Sequence, residues 1–181
     1  MYFKRALILI LVIFFKNITE IVSKFEFTNI KCNSKDKSFL DFEYCYIKSV
    51  NRSYKYISIR ANIHEKPIKD AATSLQLFRR FRSYMPVSLN ISFDVCKYMA
   101  SKKNLRDPML RLYDEISTKY TNTNHKCPFD HDIEVDKLPI QFLSQHFTDV
   151  LPLPPGEYGF FSSWSSKGAE RATVWVYGNI A

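Results

Sequence analysis

The stretch Tyr54-Lys-Tyr-Ile-Ser-Ile-Arg-Ala-Asn-Ile-His64 decides the fold. Ile57, Ile59, Ala61 and Ile63 point one way, and Tyr56, Ser58, Arg60 and Asn62 the other. A period of two is the signature of a strand with one buried face. The pattern recurs on both sides. Phe39–Val50 sets Leu40, Phe42, Tyr44 and Tyr46 on one face. Thr73–Tyr84 sends Leu75 and Leu77 inward, with Arg80 and Arg82 outward. Leu89–Cys96 turns Leu89, Ile91, Phe93 and Val95 in, and Asn90, Ser92 and Asp94 out. Phe25–Cys32 and a short run around Ile133–Val135 add two more strands. Gly156–Trp164 and Arg171–Ile180 make a hairpin over Ser165–Gly168, with Ala172, Val174 and Val176 alternating against Thr173, Trp175 and Tyr177. Many short strands between turns predict a mainly β fold, a sandwich of two sheets.

One segment has a different period. Asp107-Pro108 reads as an N-cap followed by a first-turn proline. Met109, Leu112, Tyr113, Ile116 and Tyr120 then recur at helical spacing, and Asn122–Asn124 ends the run. A single inserted helix is therefore expected.

The four cysteines, Cys32, Cys45, Cys96 and Cys127, all follow a leader-like segment. Lys4 and Arg5 precede an unbroken apolar run, Ala6–Phe15, too short to span a bilayer. The reading is a signal peptide over residues 1–23, cleaved after Ser23, and a single domain over 24–181. An even cysteine count behind a leader predicts a secreted, extracellular domain with two disulfides. Sequential pairing would tie the first two strands and close the helical segment, but three pairings are open at this point. The sequons at Asn51 and Asn90 predict a glycoprotein with both residues facing solvent.

Composition narrows the chemistry further. Glycine occurs only four times, so Gly-rich phosphate loops are excluded, and no cofactor is expected. The net charge of +8 suits an anionic membrane surface or an acidic partner better than nucleic acid, which an exported chain rarely meets. Arg79, Arg80 and Arg82 form the densest basic patch, readable as a lipid or partner contact or as charge guarding an edge strand. His125, Cys127 and His131 have metal-ligand spacing, but an oxidised cysteine cannot supply a thiolate, so no metal is expected. No nucleophile elbow is present, and Asp41 and Glu43 read as solvated surface rather than a glycosidase pair. The chain is expected not to be an enzyme and to be a monomer. Aromatics make up 15% of the chain, enough to fill a core or to line a hollow one.

Asn124-His-Lys-Cys-Pro-Phe-Asp-His131 and Leu151-Pro-Leu-Pro-Pro-Gly-Glu-Tyr158 resemble a large insect family of secreted proteins of unknown function, relatives of the chemosensory CheB proteins. Phe25-Glu-Phe-Thr-Asn-Ile-Lys-Cys32, Cys45 with Val50-Asn-Arg52, Gln76-Leu-Phe-Arg-Arg-Phe81 and Asp94-Val-Cys96 fit in the same order. The C-terminal third is similar, more weakly, to the ML lipid-recognition superfamily, which includes the ganglioside activator protein. The chain departs from the activator in its last strand, where Thr173–Val176 carries no cysteine. The resemblance implies an immunoglobulin-like sandwich whose sheets splay around a lipid. It also matches Cys96–Cys127 to a bridge kept in the superfamily, which supports sequential pairing.

On this reading the ligand cavity is formed by the inward residues Ile57, Ile59, Ile63, Leu75, Leu77, Ile91, Phe93, Val174 and Val176. Tyr113, Ile116, Tyr158, Phe160 and Trp164 would close its mouth. The expected function is a secreted binding protein for a lipid or pheromone-like hydrophobic molecule in chemosensation. The alternative is a module with a filled core that binds a receptor or membrane surface.

Overall fold

A computed structural model describes residues 25–101, 106–149 and 153–181, with backbone alone for 147–149. The expected leader over 1–23 lies outside the described residues. The strands are β1 (Phe25–Ser34), β2 (Leu40–Ser49), β3 (Lys55–Ile63), β4 (Ala72–Arg80), β5 (Tyr84–Asp94), β6 (Ile133–Pro139), β7 (Gly156–Ser166) and β8 (Ala169–Ile180). The helices are α1 (Val95–Ser101), α2 (Pro108–Tyr120) and α3 (Ile140–Asp149). None of these helices is long and apolar enough to cross a membrane.

Two antiparallel sheets of unequal width face each other. The wide sheet has the order β1-β8-β7-β4-β5, and the narrow one β2-β3-β6. Cross-strand rows set the inner face of the wide sheet: Leu77, Phe160, Val176 and Ile30 in one row, Leu75, Ser162, Val174 and Cys32 in the next. Ile57, Ile59, Ala61 and Ile63 of β3 oppose them, each nearly fully buried. Two disulfides join the chain sequentially. Cys32–Cys45 ties β1 to β2, and so one sheet to the other, while Cys96–Cys127 ties α1 to the loop before β6.

Local chemistry accounts for the element ends. Asp107 caps α2, its Oδ1 accepting from the amides of Met109 (2.8 Å) and Leu110 (3.1 Å), with Pro108 in the first turn. The β7–β8 turn puts Lys167 at φ 53° and Gly168 at φ 70°, the two positive values that a two-residue hairpin turn requires.

The structure corrects four expectations. Three helices are present among the described residues, not one. α1 begins where a strand was expected to continue through Cys96. Asp94 Oδ1 accepts from the Lys97 amide at 2.9 Å, the bond of an N-cap, which turns Val95 and Cys96 into helix. α3 starts directly after Pro139 with no side-chain cap before it to mark it. In β2 a register shift between Phe42 and Tyr44 reverses the faces. Cys45 and Ile47 therefore pair with Ile59 and Ile57 on the core side, while Tyr44 donates from its hydroxyl to Glu134 (2.7 Å). That bond pushes the Tyr44 hydroxyl up to about 12. Finally, β4 stops at Arg80, and Arg82 lies on the turn into β5 rather than on a strand face.

The tightest backbone approach is at Gly178. A Cβ there would lie 2.2 Å from Phe25 Cζ and 2.9 Å from Glu26 O. Gly178→Ala is expected to cost about 1–3 kcal/mol through displacement of the buried Phe25 ring, read as a lower urea midpoint.

Candidate ligand cavity

The core between the sheets is not filled. A cavity of about 280 Å³ lies in it. Its walls are built from elements far apart in sequence. β3 supplies Ile57, Ile59 and Ile63, and β6 supplies Ile133, Val135 and Leu138. The wide sheet supplies Leu75, Phe160, Trp164, Val174 and Val176. The apolar stripe of α2 closes one flank with Met109, Leu112, Tyr113 and Ile116. Phe39, Ile68 and Phe129 close the end near the β7–β8 turn, where Ile68 and Phe129 exchange two backbone bonds of 2.7 and 2.9 Å.

Ten expected positions lie on this wall: Ile57, Ile59, Ile63, Leu75, Tyr113, Ile116, Phe160, Trp164, Val174 and Val176. Leu77, Ile91, Phe93 and Tyr158 do not. Leu77, in the row of Phe160 and Val176, and Tyr158 are fully buried among core side chains, and Tyr158 spends its hydroxyl on Pro154 O (2.6 Å). Phe93 meets Tyr98 and Tyr113 edge-on and backs the wall instead of forming it. Ile91 sits on the edge strand β5, packed against the core but off the cavity. Sequence reasoning missed Phe39, Leu40, Ile68, Phe129, Val135 and Leu138. The alternation Ile133, Val135 could have found these two β6 positions, whereas Leu138 falls out of that period after a register shift and the loop residues Ile68 and Phe129 carry no periodic signal.

The wall's polar side chains are mostly committed elsewhere. Thr73 donates to Ser163 O (3.0 Å), Ser117 to Asp114 O (2.9 Å) and Thr121 to Ser117 O (2.9 Å). Ser166 donates to Asp70 (3.1 Å), and Arg171 is paired with Asp36 while its guanidinium lies over the Phe39 ring. Ser162 Oγ accepts from the Trp164 indole (3.1 Å). Tyr113 is different: burial pushes its hydroxyl well above the usual phenol range, and it makes no hydrogen bond among the described residues.

The remaining expected positions lie on the outside. Arg79 donates to Pro155 O (2.9 Å), Arg80 pairs with Glu157 (2.6 Å), and Arg82 is exposed on the turn. Asn51 and Asn90 are both exposed, with Asn51 Oδ1 accepting from the Ser53 and Tyr54 amides. Asp41 bonds to His64 and Glu43 to Arg60, so the two carboxylates serve separate partners. His125 and His131 approach at 2.7 Å between Nε2 atoms, each with its Nδ1 near a backbone carbonyl. No group of three metal-ligating side chains occurs among the described residues.

Asp132 fixes the end of the cavity between Ile63 and Ile133. Its carboxylate accepts from Lys66 Nζ (2.7 Å) and the Ile63 amide (3.0 Å), with Arg60 at 3.5 Å. Chiefly through the Lys66 bond, then the Ile63 amide, its pKa is held down to about 2 from 3.8.

Residues 73–160 match the model of a family described as a protein of unknown function (DUF1091), so such a domain is found from β4 into β7. No curated protein matches the chain.

A depressed carboxyl stabilises the fold above its unfolded pKa, and that stability is lost as pH falls through the folded one. The urea midpoint should therefore drop between about pH 4 and pH 2, the span over which Asp132 takes up its proton. Asp132→Asn should start lower at neutral pH and show a flatter acid limb. Asp36, Asp94 and Glu115, also lowered, account for the remaining slope.

Proposed function

We propose that this chain is a secreted, non-enzymatic carrier that holds one lipid or pheromone-like hydrophobic molecule between its sheets. The observation that carries this reading is the apolar cavity of about 280 Å³. That lies near the small end of pockets that take compact organic ligands, about 300–1,000 Å³. Burying a ten-methylene chain there contributes roughly 8 kcal/mol before the costs of association. No carboxylate or histidine stands among the described wall residues, which favours holding over chemistry. Two sheets around an apolar space also favour kinship with the ML lipid-recognition superfamily and its immunoglobulin-like sandwich. The chemosensory role rests on the resemblance to CheB relatives, an analogy of family.

A second reading has its own observation. Phe81 and Met85 are 68% and 52% exposed at the β4–β5 turn, beside Arg79, Arg80 and Arg82. Bare apolar side chains among cations suit an anionic membrane surface. On this reading the tip rather than the cavity is the working surface.

The two readings give opposite results. Protein purified from secreting cells and extracted into organic solvent should yield a stoichiometric lipid by mass spectrometry, absent from a mock purification. Ile116→Trp, which fills the cavity from α2, should lose that lipid while keeping the fold. An empty extract, with no thermal shift across a lipid panel, removes the carrier reading. Binding to phosphatidylserine vesicles that is lost in Phe81→Ser/Met85→Ser would then support the membrane module.

A further inference from the structure

The cavity wall is apolar, with its charges neutralised and most of its polar side chains bonded to protein. Gln76, Ser165 and Tyr113 make no side-chain hydrogen bond among the described residues, and of these it is Tyr113 that stands on the apolar stripe of α2. It sits in the middle of α2, its ring held edge-on by Phe93 (4.9 Å) and Tyr98 (5.9 Å), and it lines the cavity. Its hydroxyl is buried near Tyr98 and Asp114 and has no hydrogen-bond partner among the described residues. An unpaired hydroxyl in an apolar site is a standing penalty unless something enters to bond it.

The other groups on the wall define what that something is. The Arg171 guanidinium is occupied by Asp36 and Ser166 O, so among the described wall residues no free cation faces the cavity to receive a carboxylate. Ser162 Oγ already accepts from Trp164 and has a proton left to donate. These two hydroxyls are neutral, as are the Gln76 amide and the Ser165 hydroxyl on the same wall, and burial keeps the Tyr113 phenol protonated.

We infer that Tyr113 is the polar anchor of the cavity and that the ligand is an uncharged, oxygenated hydrocarbon: a long-chain alcohol, ester or ketone whose oxygen accepts from the Tyr113 hydroxyl. The inference rests on the carrier reading and deepens it. A buried donor discriminates strongly against the analogue that lacks the acceptor, because the donor is then left unpaired. Fatty acids bind less well because their charge finds no counter-ion.

The test is displacement of an apolar fluorescent probe from the delipidated full domain by four ligands of equal chain length: hexadecane, hexadecanol, hexadecyl acetate and palmitate. The expected order places hexadecanol and the acetate roughly tenfold tighter than hexadecane, about the effect of one hydrogen bond. Palmitate should trail at neutral pH. Tyr113→Phe should abolish the preference over hexadecane, because the donor that discriminates is gone. The same substitution should hold or raise the melting temperature of the ligand-free protein, since it removes an unpaired hydroxyl. A lowered melting temperature would mean a structural partner for that hydroxyl and would overturn the proposal. So would an alkane and an alcohol that bind alike in the parent protein, or palmitate binding most tightly. Failure of all four ligands to displace the probe, or of the probe to bind, strikes the carrier reading itself.

Discussion

The mismatch in sheet width sets everything else in this molecule. Five strands face three, so two strands' worth of apolar inner face has no opposing sheet. At about 4.8 Å per strand the uncovered width is near 10 Å, the diameter of one helix with its side chains. α2 occupies that place. It touches β6 on the narrow sheet and β5 at the far edge of the wide one, and turns Met109 and Leu112 into the core. On the opposite edge, Cys32–Cys45 holds β1 against β2. One edge is thus pinned covalently and the other is propped by a cylinder that packs less closely than a sheet. The cavity lies along the propped side.

That architecture explains which parts could be read from the sequence. β3 was legible because it is the central strand of the narrow sheet and is regular over its inner-facing residues. α2 was legible because Asp107 and Pro108 mark its start and its stripe is clean. The misreadings share a cause: local signals that interrupt a period. The shift at Phe42/Tyr44 moves Tyr44 and Tyr46 to the outside, where Tyr44 joins the Arg60–Glu134 network. Asp94 serves as an outward strand residue in a periodic reading, yet it is the cap that starts α1. Both are single-residue events that a period of two cannot register.

The site was legible to the extent that it follows the strands. Inward positions on β7 and β8 fall on the wall because the rows of the wide sheet run straight across it, and those of β3 face them from the centre of the narrow sheet. Leu77 obeys the same alternation but is fully buried in the core cluster that also holds Tyr158 and Phe25, and does not reach the wall. Alternation tells which face a residue takes, and not whether the opposing layer meets it. The loop residues Ile68 and Phe129 reach the wall through a backbone bridge between segments sixty residues apart in order of magnitude. Such long-range pairings leave no local trace.

A hollow core must be stable enough to persist while empty. At about 24 cal/mol per Å³, a void near 280 Å³ costs on the order of 7 kcal/mol. That is comparable to the whole stability of a typical domain. The two disulfides span 13 and 31 residues. By loop closure they contribute about 3 and about 4 kcal/mol, which together match the void. Their positions suit this role. Cys32–Cys45 prevents the sheets from sliding together or apart at the pinned edge, and Cys96–Cys127 brackets the segment that carries α2 and the Phe129 end wall. A chain of this length can fold on an ordinary core without crosslinks. The bridges make sense here as the counterweight to a core left open.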